Sequence, residues 1–225
     1  MKKCAFTLAE VLITLGIIGV VAALTLNVLI NNVRQMVLKN QFKTAYNLIV
    51  NSIEKTYSDI GYIPECSYGY ASTSSSLLFG DCTTFHNHVF DNLKVAKHCE
   101  NNSYQNRCIS DIKGHDTVAM SGDANLSEED ARARFASRGC MRENEIKTKN
   151  PAYVLENGTV IMVYKCGTMS STIPIYLIDT NGMKGPNKWG YDVFDFYIYK
   201  NKLVCYTNTF EKGGVKCSDY AKYVK

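Results

Sequence analysis

The chain has 225 residues, 46% of them hydrophobic, and a formal net charge of +4 at pH 7. That length and apolar content fit one moderate domain with an appendage and exclude a globally disordered chain. The charge is small and its lysines are scattered, which excludes the concentrated basic footprint of a nucleic-acid binder.

Lys2 and Lys3 open the chain, and behind them comes an apolar run holding a single acid, Glu10. Residues 11–30 carry no charge and no proline. At about 1.5 Å per residue they match a hydrocarbon layer of roughly 30 Å. The leading lysines, with no basic cluster beyond the run until Arg34 and Lys39, place the N-terminus in the cytoplasm and the rest of the chain outside it. A secretory signal peptide cut after Ala23 is the competing reading. Two features oppose it. Glu10 sits where such peptides are uncharged, and an acid inside a bilayer costs roughly 2.5–3.5 kcal/mol on insertion scales, so it is kept for a partner or a task. The helical pattern also continues past the cut: Leu38, Phe42, Ala45, Ile49, Ile53 and Tyr57 recur at three- and four-residue intervals, which predicts one helix over about residues 6–58.

Residues 61–150 turn to serine, asparagine, cysteine and charge, with a serine-rich loop at 70–76. Thr83 or Thr84 is positioned to cap a helix with Phe85, Val89, Leu93 and Ala96 on one face, and Ser127 with Asp130 forms a capping box before a short helix ending near Gly139. His86, His88, His98 and His115 beside Cys82, Cys99 and Cys108 raise a zinc site. Spacing disfavours it, because two residues apart on a helix do not converge, and exported cysteines are more often oxidised than metallated.

Nine cysteines become eight in the exported part once Cys4, before the apolar run, is set aside. An even set of Cys66, Cys82, Cys99, Cys108, Cys140, Cys166, Cys205 and Cys217 fits disulfides in an oxidising compartment. Eight cysteines allow 105 connectivities. Short loops favour Cys66–Cys82, Cys99–Cys108, Cys140–Cys166 and Cys205–Cys217, the last around Lys212-Gly213-Gly214.

In the last third, residues 152–156, Asn157-Gly158 and residues 159–165 read as a hairpin with a type I′ turn. Residues 173–179, 193–199 and 203–206 add strands rich in β-branched and aromatic side chains, so an antiparallel sheet is expected. The stretch 179–192 between two of them collects Asp179, Asn181, Asn187 and Asp192, oxygen donors of the kind a hard cation takes. The same residues also serve to satisfy turn backbone. No Ser/His/Asp or Cys/His grouping has a context that supports catalysis, and no enzyme activity is expected.

Ala5-Phe6-Thr7-Leu8-Ala9-Glu10 behind a short basic leader resembles the processing motif of type IV pilins and type II secretion pseudopilins. The resemblance implies that a prepilin peptidase cuts between Ala5 and Phe6 and methylates the new amine of Phe6. Ala5 stands where the family usually has glycine. It implies an α+β fold: a pilin-like long N-terminal helix, membrane-spanning in its first half, packed on a C-terminal antiparallel sheet head with a disulfide-rich insertion. The expected divisions are a leader at 1–5, a membrane and assembly helix at 6–30, its amphipathic continuation at 31–60, a cysteine-rich region at 61–150 and the sheet region at 151–225. It also explains Glu10, which lies four residues from Phe6 on one helix face and neutralises the amine of its own chain or, in a staggered bundle, of a neighbour. The implied partners are the peptidase, other pilin or pseudopilin subunits and the bacterial inner membrane; the implied cofactor is none, or calcium in the 179–192 loop, as in some pseudopilins. Pilus, DNA-uptake filament and secretion pseudopilus share this anchor. The reading from a different class is a tethered, disulfide-rich binding or enzymatic domain that never polymerises.

Overall fold

The computed structural model describes residues 7–61, 66–67, 80–118, 139–164, 174–199, 202–222 and 224, less the side chains of residues 27, 66, 67, 80 and 81. Two units divide the chain at Asn40 and Gln41. The helix α1, Leu8–Ile60, belongs in part to each. After it come β1 (Cys66–Ser67), β2 (Gly80–Asp81), α2 (Thr83–Asp91), β3 (Val95–Cys99), α3 (Glu143–Thr148), β4 (Ala152–Leu155), β5 (Val160–Val163), β6 (Ile175–Asp179), β7 (Val193–Tyr199), β8 (Lys202–Cys205) and α4 (Cys217–Ala221). Strands β3 to β8 form one antiparallel sheet in sequence order. This is the pilin-like arrangement of a long N-terminal helix and an antiparallel head.

Successive strand side chains point to opposite faces, and here both faces are apolar. Ile161, Val163, Tyr176, Ile178, Phe194, Phe196 and Ile198 face a core shared with Phe42, Ala45, Ile49 and Ile53 of α1 and with Phe85, Val89 and Phe90 of α2. The alternate residues Val160, Met162, Ile175, Leu177 and Val193 face a second core closed by Ile109, Ile112, Met141 and Ile146. The cysteine-rich region therefore supplies a cover for the sheet.

Four sequence expectations are corrected. Thr56, fully buried and accepting a hydrogen bond from Asn92 Nδ2, takes the inward place expected of Tyr57, which is 45% exposed. The N-cap of α2 is Cys82 and makes no side-chain capping bond; Ala96 lies in β3, a strand the helical reading of 83–96 concealed. The β4–β5 turn is not type I′. Gly158 has φ of 90° while Asn157 does not have positive φ, Gly158 N–H donates to Leu155 O, and Leu155 N–H donates to Thr159 O. That is a three-residue loop with a left-handed glycine closing a bulge, and Asn157 Oδ1 accepts from Thr159 N–H to hold it. The expected helix after Ser127 and the 70–76 loop lie outside the described residues.

Cys99 is bonded to Cys108 and Cys205 to Cys217. Cys82 and Cys140 are also disulfide-bonded; Cys166 and the side chain of Cys66, their expected mates, lie outside the described set. Phe42 is central to the first core, with its ring 4.8 Å from that of Phe194 and 5.0 Å from that of Tyr220. Phe42→Ala is expected to lower stability by about 3–5 kcal/mol, against no more than about 0.5 kcal/mol for the exposed Tyr57→Ala. Urea unfolding of the full chain in mild detergent, followed by circular dichroism, measures both.

Candidate functional site

The start of α1 is built by two side chains. Thr7 N–H and Oγ1–H both donate to Glu10 Oε2, at 2.9 and 2.8 Å, while Glu10 N–H donates back to Thr7 Oγ1 at 3.3 Å. This reciprocal capping box satisfies donors that a helix N-terminus otherwise leaves open, and it places a carboxylate at the positive end of the helix dipole. Thr7-Leu8-Ala9-Glu10 has the spacing of such a box, so the signal was present in the sequence; the reading of Glu10 as a partner for Phe6 passed over it. Ala5 and Phe6 themselves lie outside the described residues.

Beyond the box the side chains of α1 suit lipid. Leu12, Ile13, Leu15, Ile17, Ile18, Val20, Val21, Leu24, Leu26, Val28, Leu29 and Ile30 are exposed. Thr14 and Thr25 turn their hydroxyls back onto the carbonyls of Glu10 and Val21, each at 2.9 Å, as hydroxyls must where no water is available. Among the described residues this is the one helix long and apolar enough to cross a membrane.

The second candidate lies where β6 turns into β7. Pairing of Asp179 with Val193, together with the bond from Thr180 N–H to Asp192 O, brings the carboxylates of Asp179 and Asp192 into one fully buried corner. Asp179 Oδ1 accepts from Asn181 N–H at 3.2 Å and Gly182 N–H at 2.7 Å. Asp192 accepts from Asn187 N–H at 2.9 Å and Lys188 N–H at 2.8 Å. Gly182 has φ of 58°, and a Cβ there would stand 2.5 Å from Gly158 O, so the turn requires glycine. Burial, and after it the neighbouring Asp192, pushes the Asp179 carboxyl well above the usual carboxylate range. Burial raises Asp192 as well. Asp179 Oδ2, Asn181 Oδ1 and Asn187 Oδ1 have no hydrogen-bond partner. Two carboxylates and two amide oxygens with this spare acceptor capacity fit the donor set of a hard divalent cation, calcium above all, and a cation there would supply charge neutralisation and a cross-link rather than chemistry.

The histidines do not converge. His86 is buried with Nδ1 2.8 Å from Tyr176 Oη, His98 stacks on Tyr153, and His115 lies in the second core. Cys82, Cys99 and Cys108 are oxidised, and no group of three or more His, Cys, Asp or Glu among the described residues is placed to hold a metal. Sequence reading missed the pair of His115 and Asp195, whose Nε2 and Oδ2 are 3.5 Å apart with both side chains buried. Asp195 Oδ1 also accepts from Thr207 N–H and Oγ1–H. Eighty residues separate the two, and no local pattern marks them.

Residues 1–26 match the model of the prokaryotic N-terminal methylation motif. No curated protein and no solved structure gives a significant match to the chain.

Thr7→Val removes both bonds of the capping box that involve the hydroxyl, and loss of such a cap costs a helix about 0.5–2 kcal/mol. Amide exchange in detergent is expected to quicken at residues 8–11 in Thr7→Val, to stay near the parent rate in Thr7→Ser, and to be unchanged at residues 152–199 in both.

Proposed function

Starting from the type IV pilin and pseudopilin signature carried by residues 1–26, we propose that this chain is a membrane-anchored structural subunit of a type IV pilus-like or secretion-type filament. A prepilin peptidase cuts between Ala5 and Phe6 and methylates the new amine. The mature chain is held in the inner membrane by α1 with its start at the cytoplasmic side and its head exported, until it is extracted into a bundle of such helices. Its work is assembly, not catalysis.

The observation that carries this reading is Glu10 in the first turn of α1, directly ahead of residues 11–30, a lipid-suited run that carries no other charge. After cleavage, the chain begins at Phe6 with a free ammonium two residues ahead of the start of α1, where the positive end of the dipole disfavours it. Left unpaired in hydrocarbon, that ammonium and the Glu10 carboxylate each cost a few kcal/mol; pairing them removes both costs at once. Within one chain Thr7 competes for the same carboxylate oxygen. In a staggered bundle the amine of a neighbouring chain approaches Glu10 from the side, and the gain from pairing then favours the assembled state over the isolated one. The loss on removing the carboxylate is of the order of that pairing.

Glu10→Ala is expected to be inserted and cleaved like the parent but to enter filaments at least about tenfold less, the equivalent of 1.4 kcal/mol. Ala5→Arg is expected to remain as precursor, because the position before the cut requires a small residue. A mass spectrum separates precursor from mature chain by the residues 1–5, and sheared filament fractions report incorporation. A mature chain beginning near Leu24, or full incorporation of Glu10→Ala, would instead identify a secreted or merely tethered domain.

A further inference from the structure

The second cover of the sheet meets β7 at a buried acid and base. Asp195 lies opposite Leu177 in the pairing of β6 with β7, and its side chain is 1% exposed. His115 belongs to the cover; its side chain is fully buried, with Nε2 3.5 Å from Asp195 Oδ2. Both partners are held from behind. His115 N–H donates to Met141 O at 2.9 Å, and its ring stands T-shaped against that of Trp189 at 4.8 Å. Trp189 is itself fixed, since its Nε1–H donates to Lys113 O at 2.8 Å. Asp195 Oδ1 accepts from Thr207 N–H at 3.0 Å and from Thr207 Oγ1–H at 2.7 Å. Thr207 Oγ1 is also 2.9 Å from Thr209 Oγ1; its one hydrogen is spent on Asp195, so Thr209 is the donor of that bond.

These contacts select a protonation state. Two donors on one oxygen favour the ionised form of Asp195, and a buried carboxylate without a countercharge is costly. The titratable groups around the pair are committed elsewhere or neutral. Tyr164, just past β5, has its hydroxyl pushed well up by burial first and by Asp195 and Tyr206 after it, so it stays uncharged. Tyr206, just past β8, gives its N–H to Asp195 O. On the cover, Asp116 accepts from Glu143 N–H, and Glu143 is bonded to Lys147 and Thr117, while the Lys113 side chain is exposed. Glu211 accepts from Trp189 N–H. Asp179 and Asp192 accept from N–H groups of their own turn. A proton on His115 neutralises Asp195 without disturbing its bonds to Thr207, and the face of an indole ring attracts a cation.

We propose that His115 is an imidazolium in the folded head at neutral pH, and that its ion pair with Asp195 is a pH-sensitive clamp between residues 103–118 and β7. Burial by itself works against the charged ring; the carboxylate and the indole outweigh it. A histidine that holds its proton more tightly folded than unfolded contributes stability that is complete below about pH 6.5 and is lost as pH rises through its folded value. Deprotonation leaves the Asp195 carboxylate buried against a neutral ring. The cost falls on the cover that carries His115, because β7 is paired on both sides, by β6 and by β8. The clamp is therefore closed at neutral pH and loosens in alkali, while the sheet and its α1 side stay in place.

This clamp is independent of the assembly reading and is tested without filaments. The full chain, oxidised, in detergent and labelled with nitrogen-15 at histidine, is followed by NMR, with the surface residue His98 as the reference within the same chain. At about pH 7 both ring nitrogens of His115 are expected to carry protons. Amide exchange on the same sample, corrected for the intrinsic rate at each pH, reads the cover. Protection at residues 109–118 is expected to fall about tenfold or more between about pH 7 and pH 9, while that of β6 and β7 stays level. Asp195→Asn is expected to leave His115 neutral at about pH 7 and to give a lower, level protection profile at 109–118. His115→Gln, which keeps a donor but cannot titrate, is expected to level the profile as well, and the parent measurements decide the matter even where a variant fails to fold. A neutral His115 ring at about pH 7, a level profile in the parent, or the parent's pH dependence retained in either variant would each overturn the proposal.

Discussion

A sheet that is apolar on both faces has to be covered twice, and most of the head follows from that requirement. One cover is made by regular structure: residues 41–60 of α1 with α2 and α4. The other is made by residues 103–118, which form turns rather than helices or strands, and by residues 139–149, which carry one turn of 3-10 helix and the short α3. Turns and cross-segment backbone bonds, such as Asn102 N–H to Thr148 O and His115 N–H to Met141 O, close part of this cover, and side chains tie down the rest. Ser103 Oγ–H donates to Asn150 O, Asn150 Nδ2–H to Cys140 O, and Lys147 joins Asp111 to Glu143. The disulfide between Cys99 and Cys108 acts in the same direction by limiting the freedom of the unfolded segment.

Covering both faces also carries polar groups into the interior. The alternation that turns Phe194 and Phe196 to the first core turns Asp195 to the second, where no water meets it. An unpaired carboxylate in such a place is expensive; His115 stands 3.5 Å from it, Thr207 donates to it, and the Trp189 ring packs on His115. Tyr164 nearby has its hydroxyl pushed well up, by burial first and by Asp195 after it. Replacing one member of such a group strands the other, which makes these buried polar clusters stricter about sequence than the apolar core around them.

The first half of α1 shows the opposite pattern. There the apolar side chains face outward and the few polar ones, Thr7, Glu10, Thr14 and Thr25, find partners on the helix itself. Buried side chains begin at Leu38, and those that join the first core at Phe42, so a single helix carries two patterns.

The division between what was legible and what was not has a physical cause. Sequence alone determined the elements whose signals are local: the length of α1, the β4–β5 hairpin, β6 to β8 and the acid at position 10. It also contained the capping box of Thr7 and Glu10, because four consecutive residues suffice to build one. The oxygen-rich turn at 179–192 was recognisable by composition. It did not reveal β3, since Val95 to Cys99 become a strand through pairing with β4 and their own spacing fits a helix equally well. Nor did it separate Thr56 from Tyr57 as the inward residue, which depends on which neighbour meets the helix. Gln41 beside Asn181 and His115 beside Asp195 were decided only by tertiary structure. Each of these contacts joins residues far apart in the chain, and no periodicity or spacing in a sequence records which distant side chains a doubly covered sheet will press together.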